Sequence, residues 1–521
     1  MIDINEKPKN WEVCEFQDLL DYIQPTKYIV ESTRYEDKYD IPVLTAGKSF
    51  IKGYTNEKHG VFENIPVIIF DDFTTASKYV NFQFKVKSSA MKILAPTCKL
   101  VNLKFMYYCM KSNQIRSDTH KRYWISVYAK KQLFLPPLAE QSRIVARIEE
   151  LFYELDKSIE SLETAREQLK VYRQALLKHA FEGKLTEQWR RDNADKLETA
   201  KQLLIRIQQE REERYMKQLN AWKKAVMNWE VGGEKTKKPA KPRQFEVPDV
   251  ISPEKLDELA ELPVGWEWCK VGHLFDVYVG STPSRKNSSF WNGTIPWISS
   301  GEVAFCHINE TNEKITVEGY VNTSTQIHPV GTVMLAMIGE GKTRGQAAIL
   351  SVEAAHNQNT AAIRVSETNC DISLFYYYLL YQYELTRKLG SGNNQKALNK
   401  DRVSNMLFPL SPIDEQFIIV SQVEEKISVV EKIELEIIEN INRAEALRRS
   451  ILKKAISGQL VPQNSNDEPA SELLKRIRIE KSKMEERIRM AKADGKKKSS
   501  KSKVIVKKRS SIKIKSPEKV A

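Results

Sequence analysis

Leu135-Pro136-Pro137-Leu138-Ala139-Glu140-Gln141 and Pro409-Leu410-Ser411-Pro412-Ile413-Asp414-Glu415-Gln416 decide the architecture, because they are one motif written twice. Pro137, Glu140 and Gln141 recur as Pro412, Glu415 and Gln416, an offset of 275 residues (412 − 137). The same offset carries Glu149 and Glu150 onto Glu424 and Glu425. It also carries Arg173, Leu177, Lys178, Ala180, Gly183 and Leu185 onto Arg448, Leu452, Lys453, Ala455, Gly458 and Leu460, with no gap. An internal repeat of this kind constrains the fold before any local propensity does.

Downstream of each motif the apolar residues fall on a seam. The first copy has Ile148, Phe152, Leu155, Ile159, Leu162, Leu169, Tyr172 and Leu176; the second has Val423, Ile427, Val430, Ile437, Ile441, Ala444, Leu447 and Ile451. Most steps are four and three, with charged residues between, which is a heptad pattern. Ser411 suits an N-cap, Pro412 the first helical position and Asp414 the first turn, while Leu135-Pro136-Pro137 halts the preceding strand in the other copy. Gly183 and Gly458 suit C-caps. Each helix then has about 45 residues and a length of about 65 Å. Two such seams in one chain pack most simply on each other; the alternative is that each packs only on its own domain.

The regions ahead of the helices repeat more loosely. Asn10-Trp11-Glu12-Val13-Cys14 parallels Gly265-Trp266-Glu267-Trp268-Cys269, and Tyr39-Asp40-Ile41-Pro42-Val43 parallels Gly293-Thr294-Ile295-Pro296-Trp297. β-rich runs such as Val67–Phe70 and Val333–Ala336, separated by Gly, Asn and Pro turns, predict two α+β domains of about 130 residues with those two strands as counterparts. The chain divides into a first domain (1–136), a first helical region (137–230), a linker (231–262), a second domain (263–411), a second helical region (412–492) and a basic disordered tail (493–521). Within the helical regions, Leu197–Trp229 and Ala470–Lys492 are highly charged and helical. Val231–Val250, rich in Gly, Lys and Pro, reads as an exposed linker.

Charge separates frame from tail. The net charge is +14. Residues 496–521 hold eleven Lys/Arg and one acid, and subtracting that +10 from +14 leaves +4 for the rest. A low-complexity basic tail holds phosphates nonspecifically and reads no sequence. The 521 residues contain no apolar run of membrane-spanning length, and Met1–Asn10 lacks a signal-peptide core. Phe375–Tyr381 reads as a buried helix or strand. The six cysteines form no C-x-x-C pair and the seven histidines no H-E-x-x-H, so neither a metal site nor a disulfide framework is signalled, and reduced thiols in a cytoplasmic protein are expected.

Two diverged domains, each closed by P-x-x-E-Q at the start of a long helix, resemble the specificity (S) subunits of type I restriction-modification enzymes. Ala175–Lys178 through Gly183-Lys184-Leu185, its copy Ser450–Leu460, Gly280-Ser281-Thr282-Pro283-Ser284, Ile295-Pro296-Trp297, Asn357-Gln358-Asn359 and Asn393–Lys400 carry the likeness. It covers nearly the whole chain except the tail after Asp494. The resemblance implies two target recognition domains and two helices pairing as an antiparallel coiled coil with pseudo-two-fold symmetry. It further implies double-stranded DNA, two methylation subunits and two restriction subunits as partners. S-adenosylmethionine, ATP and magnesium belong to those partners, and no cofactor to this chain.

Readers of DNA need phosphate anchors and base-edge donors, best carried on Gly- or Asn-rich loops. In the second domain these are Arg285, Lys286, Lys342, Arg344, Asn394, Gln395, Lys396 and Lys400; in the first, Lys48, Lys52, Lys78, Lys121, Arg122 and Tyr123. Each of them, taken singly, is equally well an ordinary solvated loop residue. No catalytic set emerges. Ala336–Thr343 fits a relaxed P-loop, but Arg344–Leu350 reads as turn and strand instead of the helix a phosphate site requires. Pro136-Pro137 lacks the Asn/Asp-Pro-Pro-aromatic context of an adenine methyltransferase. Leu256 stands where a nuclease E-x-K motif needs its lysine. A coiled-coil DNA-binding or interaction protein acting alone, and an ATPase, are the competing readings.

Overall fold

The structure, a computed structural model, describes residues 7–45, 49–113, 123–193, 198–232, 238–242, 244–339, 341–388 and 398–509. Of its two compact units, only one is contiguous in sequence. One holds residues 1–163 with 438–521, the other residues 164–437. The linear segmentation by domain and helix is therefore not the segmentation by packing, since both cuts fall inside long helices. Those helices are Leu138–Phe181 and Ile413–Ile456, of 44 residues each.

In the first unit, strands Leu20–Ile23, Met91–Pro96, Val67–Asp71 and Ser77–Val80 form an antiparallel sheet in that spatial order. Ile41–Leu44 pairs antiparallel with Ile51–Thr55 and parallel with Lys85–Val86, and Glu12–Glu15 closes on Gln132–Leu135. The second unit repeats every one of these pairings. Its main sheet begins Val277–Val279, Thr360–Ile363, Val333–Ala336, Ala347–Leu350, and adds Cys306–Ile308 in parallel at the edge. Trp291–Ile298 lies between Glu313–Ile315 and Ala355–His356, and Glu267–Lys270 closes on Leu407–Leu410. Val67–Asp71 and Val333–Ala336 are thus counterpart strands, as their apolar runs imply. The fold is α+β in both units. The tyrosine-rich run resolves as a helix, Ile372–Lys388, and its counterpart is Leu103–Ser112.

Each domain needs helices from both copies to complete its core. In the first unit, Ile144, Val145 and Ile148 share a buried cluster with Ile451, Leu452 and Ala455, and with Leu473, Leu474 and Ile477. In the second, Ile419, Val420, Val423 and Ile427 cluster with Leu176, Leu177, Ala180 and Phe181, and with Ala200, Leu203 and Ile207. A domain therefore packs on the start of its own long helix, the end of the other copy's long helix, and the helix that follows that end. Those following helices are Ala200–Val231, entered through a Thr199–Gln202 capping box, and Ala470–Arg509. The second continues past Lys492, where the sequence reading ended it. Lysine is a good helix former, and no proline interrupts the run before Pro517.

The duplicated motif acquires a physical reason. Gln141 Nε2 donates to the Pro136 carbonyl (2.8 Å) and Gln416 Nε2 to that of Ser411 (3.0 Å), tying each long helix back to the strand before it. Ser411 Oγ has no hydrogen-bond partner, so the expected serine cap is not used. The adjacent glutamates each accept an indole N–H: Trp11 Nε1 on Glu140 (3.0 Å) and Trp266 Nε1 on Glu415 (2.9 Å). Glu415 also accepts from Thr186 Oγ1 (2.6 Å) and the Arg190 guanidinium (2.7 Å). Glu140 has neither, because Val461 and Ser465 stand where the repeat places Thr186 and Arg190. Its Oε1 is buried without a partner, and burial pushes the carboxyl above the usual carboxylate range. The helices end as the glycines suggest. Gly183 (φ +67°) and Gly458 (φ +72°) are left-handed, and the next residues, Lys184 and Gln459, donate to the His179 and Lys454 carbonyls (both 2.9 Å), a Schellman closure.

The seam needs one correction, and it is the same in both copies. Tyr172 and Leu447 are 48% and 50% exposed, and the arginines beside them turn inward. Within the second unit Arg173 pairs with Glu434 (3.5 Å) and Glu431 (4.0 Å); within the first, Arg448 pairs with Asp156 and lies 5.1 Å over the Phe152 ring. The 275-residue offset turns Arg173 into Arg448 and Asp156 into Glu431, so the two pairs are one interaction with its members exchanged. An α-helix drifts about 20° per heptad from a strict seam, and long arginine stems cover apolar surface while their heads find carboxylates.

Candidate nucleic-acid interface

In the second domain the polar loops are held from beneath by a directional hydrogen-bond chain. Arg364 Nε donates to His328 Nδ1 (3.2 Å), and His328 Nε2 meets His356 Nε2 at 3.1 Å. His356 Nδ1 meets Thr360 Oγ1 (2.8 Å), which donates to the Asn357 carbonyl (3.1 Å). A guanidinium only donates, so His328 carries its proton on Nε2, and His356, accepting there, carries its own on Nδ1. Burial, reinforced by His356 and Arg364, pushes His328 down to about 2; burial pushes His356 down to about 4. Both rings are neutral, and the chain fixes the turn that begins at Asn357.

Above that turn lies the loop opened by Gly280. A Cβ on Gly280 would stand 2.0 Å from the His356 carbonyl oxygen, so only glycine fits. Ser281 N–H donates to that same oxygen (2.9 Å), and Thr282 Oγ1 donates to Gln358 Oε1 (2.6 Å). Trp297 and Trp291 indoles hold the Ser281 and Ser284 carbonyls (both 3.2 Å). Gly280–Ser284 and Asn357–Asn359, far apart in sequence, thus form one surface.

The sequence-selected residues distribute unevenly. Arg285 stacks 3.7 Å over Trp291 and forks onto Glu313, one arm at 2.7 Å, which holds the Glu313 carboxyl below its usual range. Lys286 beside it is exposed and forms no ion pair among the described residues. Lys342 is exposed on a turn clamped to helix Ile372–Lys388: Tyr383 donates to its carbonyl (2.6 Å), and Arg344 Nη2 to that of Arg387 (3.2 Å). Lys400 is paired with Glu246 (2.6 Å). Asn394, Gln395 and Lys396 lie outside the described residues. In the first domain, Lys52 is exposed on strand Ile51–Thr55, and Lys78 is half-buried, 5.7 Å from the Phe50 ring. Tyr123 is half-buried, its N–H donating to the Asp72 carbonyl (2.9 Å). Lys48, Lys121 and Arg122 lie outside the described residues.

Two cations that sequence reasoning passed over are structural. Lys85 is 1% exposed and holds Glu57 and the His59 carbonyl (2.9 Å); Lys92 is buried against Asp72 (3.5 Å). Nothing in their strand patterns marks them as buried. The P-loop likeness fails as expected, since residues 341–345 form a turn followed by strand Ala347–Leu350. Among the described residues no group of three His, Cys, Asp or Glu is placed to hold a metal, and no helix is long and apolar enough to cross a membrane.

Two α+β domains of equal topology, closed on a duplicated helical frame, define a class of two-domain recognition proteins. The family profile "Type I restriction modification DNA specificity domain" matches residues 8–165 and 263–443. The chain belongs to the family of type I restriction-modification specificity subunits. It is 29% identical over 405 residues to the Escherichia coli EcoR124I/EcoR124II specificity subunit, covering 76% of this chain and 81% of that one. With the Escherichia coli EcoAI specificity subunit it shares 26% over 365 residues, 61% of this chain and 56% of that one. A solved chain from work on complex assembly and conformational transition of the type I R-M system superimposes with a TM-score of 0.57 at 16% identity. That match covers 87% of this chain and 99% of the other.

Proposed function

We propose that this chain reads an asymmetric, bipartite double-stranded DNA sequence, one half-site per domain, and is itself non-catalytic. It directs adenine N6 methylation by two methylation subunits and ATP-dependent cleavage by two restriction subunits. The observation that carries the reading is the repeated sheet topology on a repeated frame: every strand pairing of the first domain recurs in the second, which adds one edge strand, while the loops they carry differ. Equal scaffolds with unequal loops suit two different half-sites. S-adenosylmethionine, ATP and magnesium are assigned to the partners, and the cytoplasm is where such a complex meets DNA.

Within each unit the ion pairs run in opposite senses along the two helical regions. Arg143 and Asp156 meet Asp467 and Arg448 in the first; Arg173 and Arg190 meet Glu434 and Glu415 in the second. This supports an antiparallel helix pair that sets the length of the unspecified spacer between half-sites. DNA contacts are assigned to the Gly280–Lys286, Asn357–Asn359 and Lys342–Arg344 loops of the second domain, and to Lys52, Lys78 and Tyr123 of the first. The test is replacement of residues 263–411 by the corresponding domain of a relative, followed by methylome sequencing of cells that also express the methylation subunit. One half-site changes and the other is retained. A change in both, or methylation without this chain, refutes the reading.

A further inference from the structure

We propose that an aromatic row on helix Ala200–Val231 is a binding site for a basic, proline-rich peptide in the polyproline II conformation, filled in cis by residues 238–242 and 244–248, so that the linker works as a clasp. Tyr215, Leu219, Trp222, Val226 and Trp229 follow one another in steps of four and three and are each half-buried, while the residues between them from Met216 to Glu230 are exposed. The segment that covers them has a different period. Pro239, Pro242, Phe245 and Pro248 are half-buried, and the described residues between them are exposed. Burial at every third residue is the signature of a three-residue-per-turn polyproline II helix laying one edge on a surface.

The contacts run in opposite directions along the two partners. Lys238 lies 5.5 Å over the Trp229 ring, the Trp222 indole N–H donates to the Pro239 carbonyl (2.9 Å), and the Phe245 ring lies 4.6 Å under the Arg211 guanidinium. Beyond Phe245 the segment is fastened to the second domain: Glu246 pairs with Lys400 (2.6 Å), and the Pro248 carbonyl meets His273 Nε2 (2.9 Å). Aromatic rings with an indole N–H aimed at a backbone carbonyl form the surface that selects proline-rich peptides, whose conformation is preset and costs little entropy to dock.

The row is not needed by the duplicated frame. Ala200 and Ala470 are counterparts, each donating its N–H to the residue before a repeated tryptophan, Gly265 before Trp266 and Asn10 before Trp11 (both 2.9 Å). Carried along the second following helix at that spacing, Tyr215, Leu219 and Trp222 become Glu485, Arg489 and Lys492. The aromatic row belongs to one copy, the copy followed by the proline-rich segment.

Limited chymotryptic cleavage of the full chain at Phe245, in the Phe245–Glu246 bond that every variant keeps, tests the clasp. Trp222→Ala with Trp229→Ala, and separately Pro239→Gly with Pro242→Gly, are each expected to speed cleavage there about tenfold, the change that loss of one ordinary clasp contact makes in a local opening equilibrium. A labelled synthetic peptide of residues 238–248 is expected to bind the Pro239→Gly/Pro242→Gly chain and to be refused by the native chain. The glycine pair leaves the helix untouched, so it decides the matter even if the tryptophan pair fails to fold. Unchanged cleavage in the glycine variant, or no capture of the peptide by it, overturns the proposal.

Discussion

Replacing Glu415 by glutamine should cost far more than the same change at its repeat partner, Glu140. Glu415 is fully buried and accepts from Trp266, Thr186 and Arg190, whose side chain is 14% exposed. The amide removes the charge opposite a mostly buried guanidinium and turns an N–H₂ toward donors. Breaking one side of such a buried pair costs about 3 kcal/mol, the low end of the range because Arg190 keeps some contact with water. In a unit of this size that lowers the melting temperature by about 6–12 °C. Glu140 accepts only from Trp11, its second oxygen is orphaned, and burial already favours its protonated form. Its amide loses no ion pair, and a shift of about 2 °C or less follows. Calorimetry of the two single variants, following the transition of each unit, measures the difference. Equal shifts, or a larger one for Glu140→Gln, would refute the claim that the two ends of the frame are held unequally.

Acid should weaken the second unit selectively. His328 and His356 are depressed below the ordinary histidine value, so the unfolded chain binds more protons; their stabilising contribution is complete above about pH 6.5. It is lost as pH falls toward 4, at about 1.4 kcal/mol per pH unit for each ring. Melting curves between pH 7 and pH 5 that move both units equally would contradict this. Gly280→Ala should separate the Gly280 loop from the Asn357 turn, destabilise the second unit by about 1–3 kcal/mol and abolish recognition of one half-site, read by calorimetry and methylome sequencing. Inserting one heptad after Leu162 and another after Ile437, matched points of the repeat, lengthens the helix pair by about 10 Å. The spacer should grow by about 3 base pairs with both half-sites intact; an unchanged spacer would sink the ruler.

The sequence alone determined the frame. A constant 275-residue offset, a four-three seam and P-x-x-E-Q at each helix start are local patterns, and local patterns survive in one dimension. They yielded two helices of 44 residues, their glycine ends and the counterpart strands Val67–Asp71 and Val333–Ala336. Only the tertiary structure decided what those elements pack against. Each core is completed by the other copy's helix, as when Leu176 and Leu203 join Phe408 and Val423, and no periodicity encodes a partner more than 200 residues away. The inward turn of Arg173 and Arg448 in place of Tyr172 and Leu447 depends on carboxylates supplied by the facing helix. The commitment of Arg285 to Glu313 and Trp291, and of Lys400 to Glu246, is likewise invisible in a list of cations. A side chain's charge is written in the sequence; whether a neighbour already neutralises that charge is decided by folding.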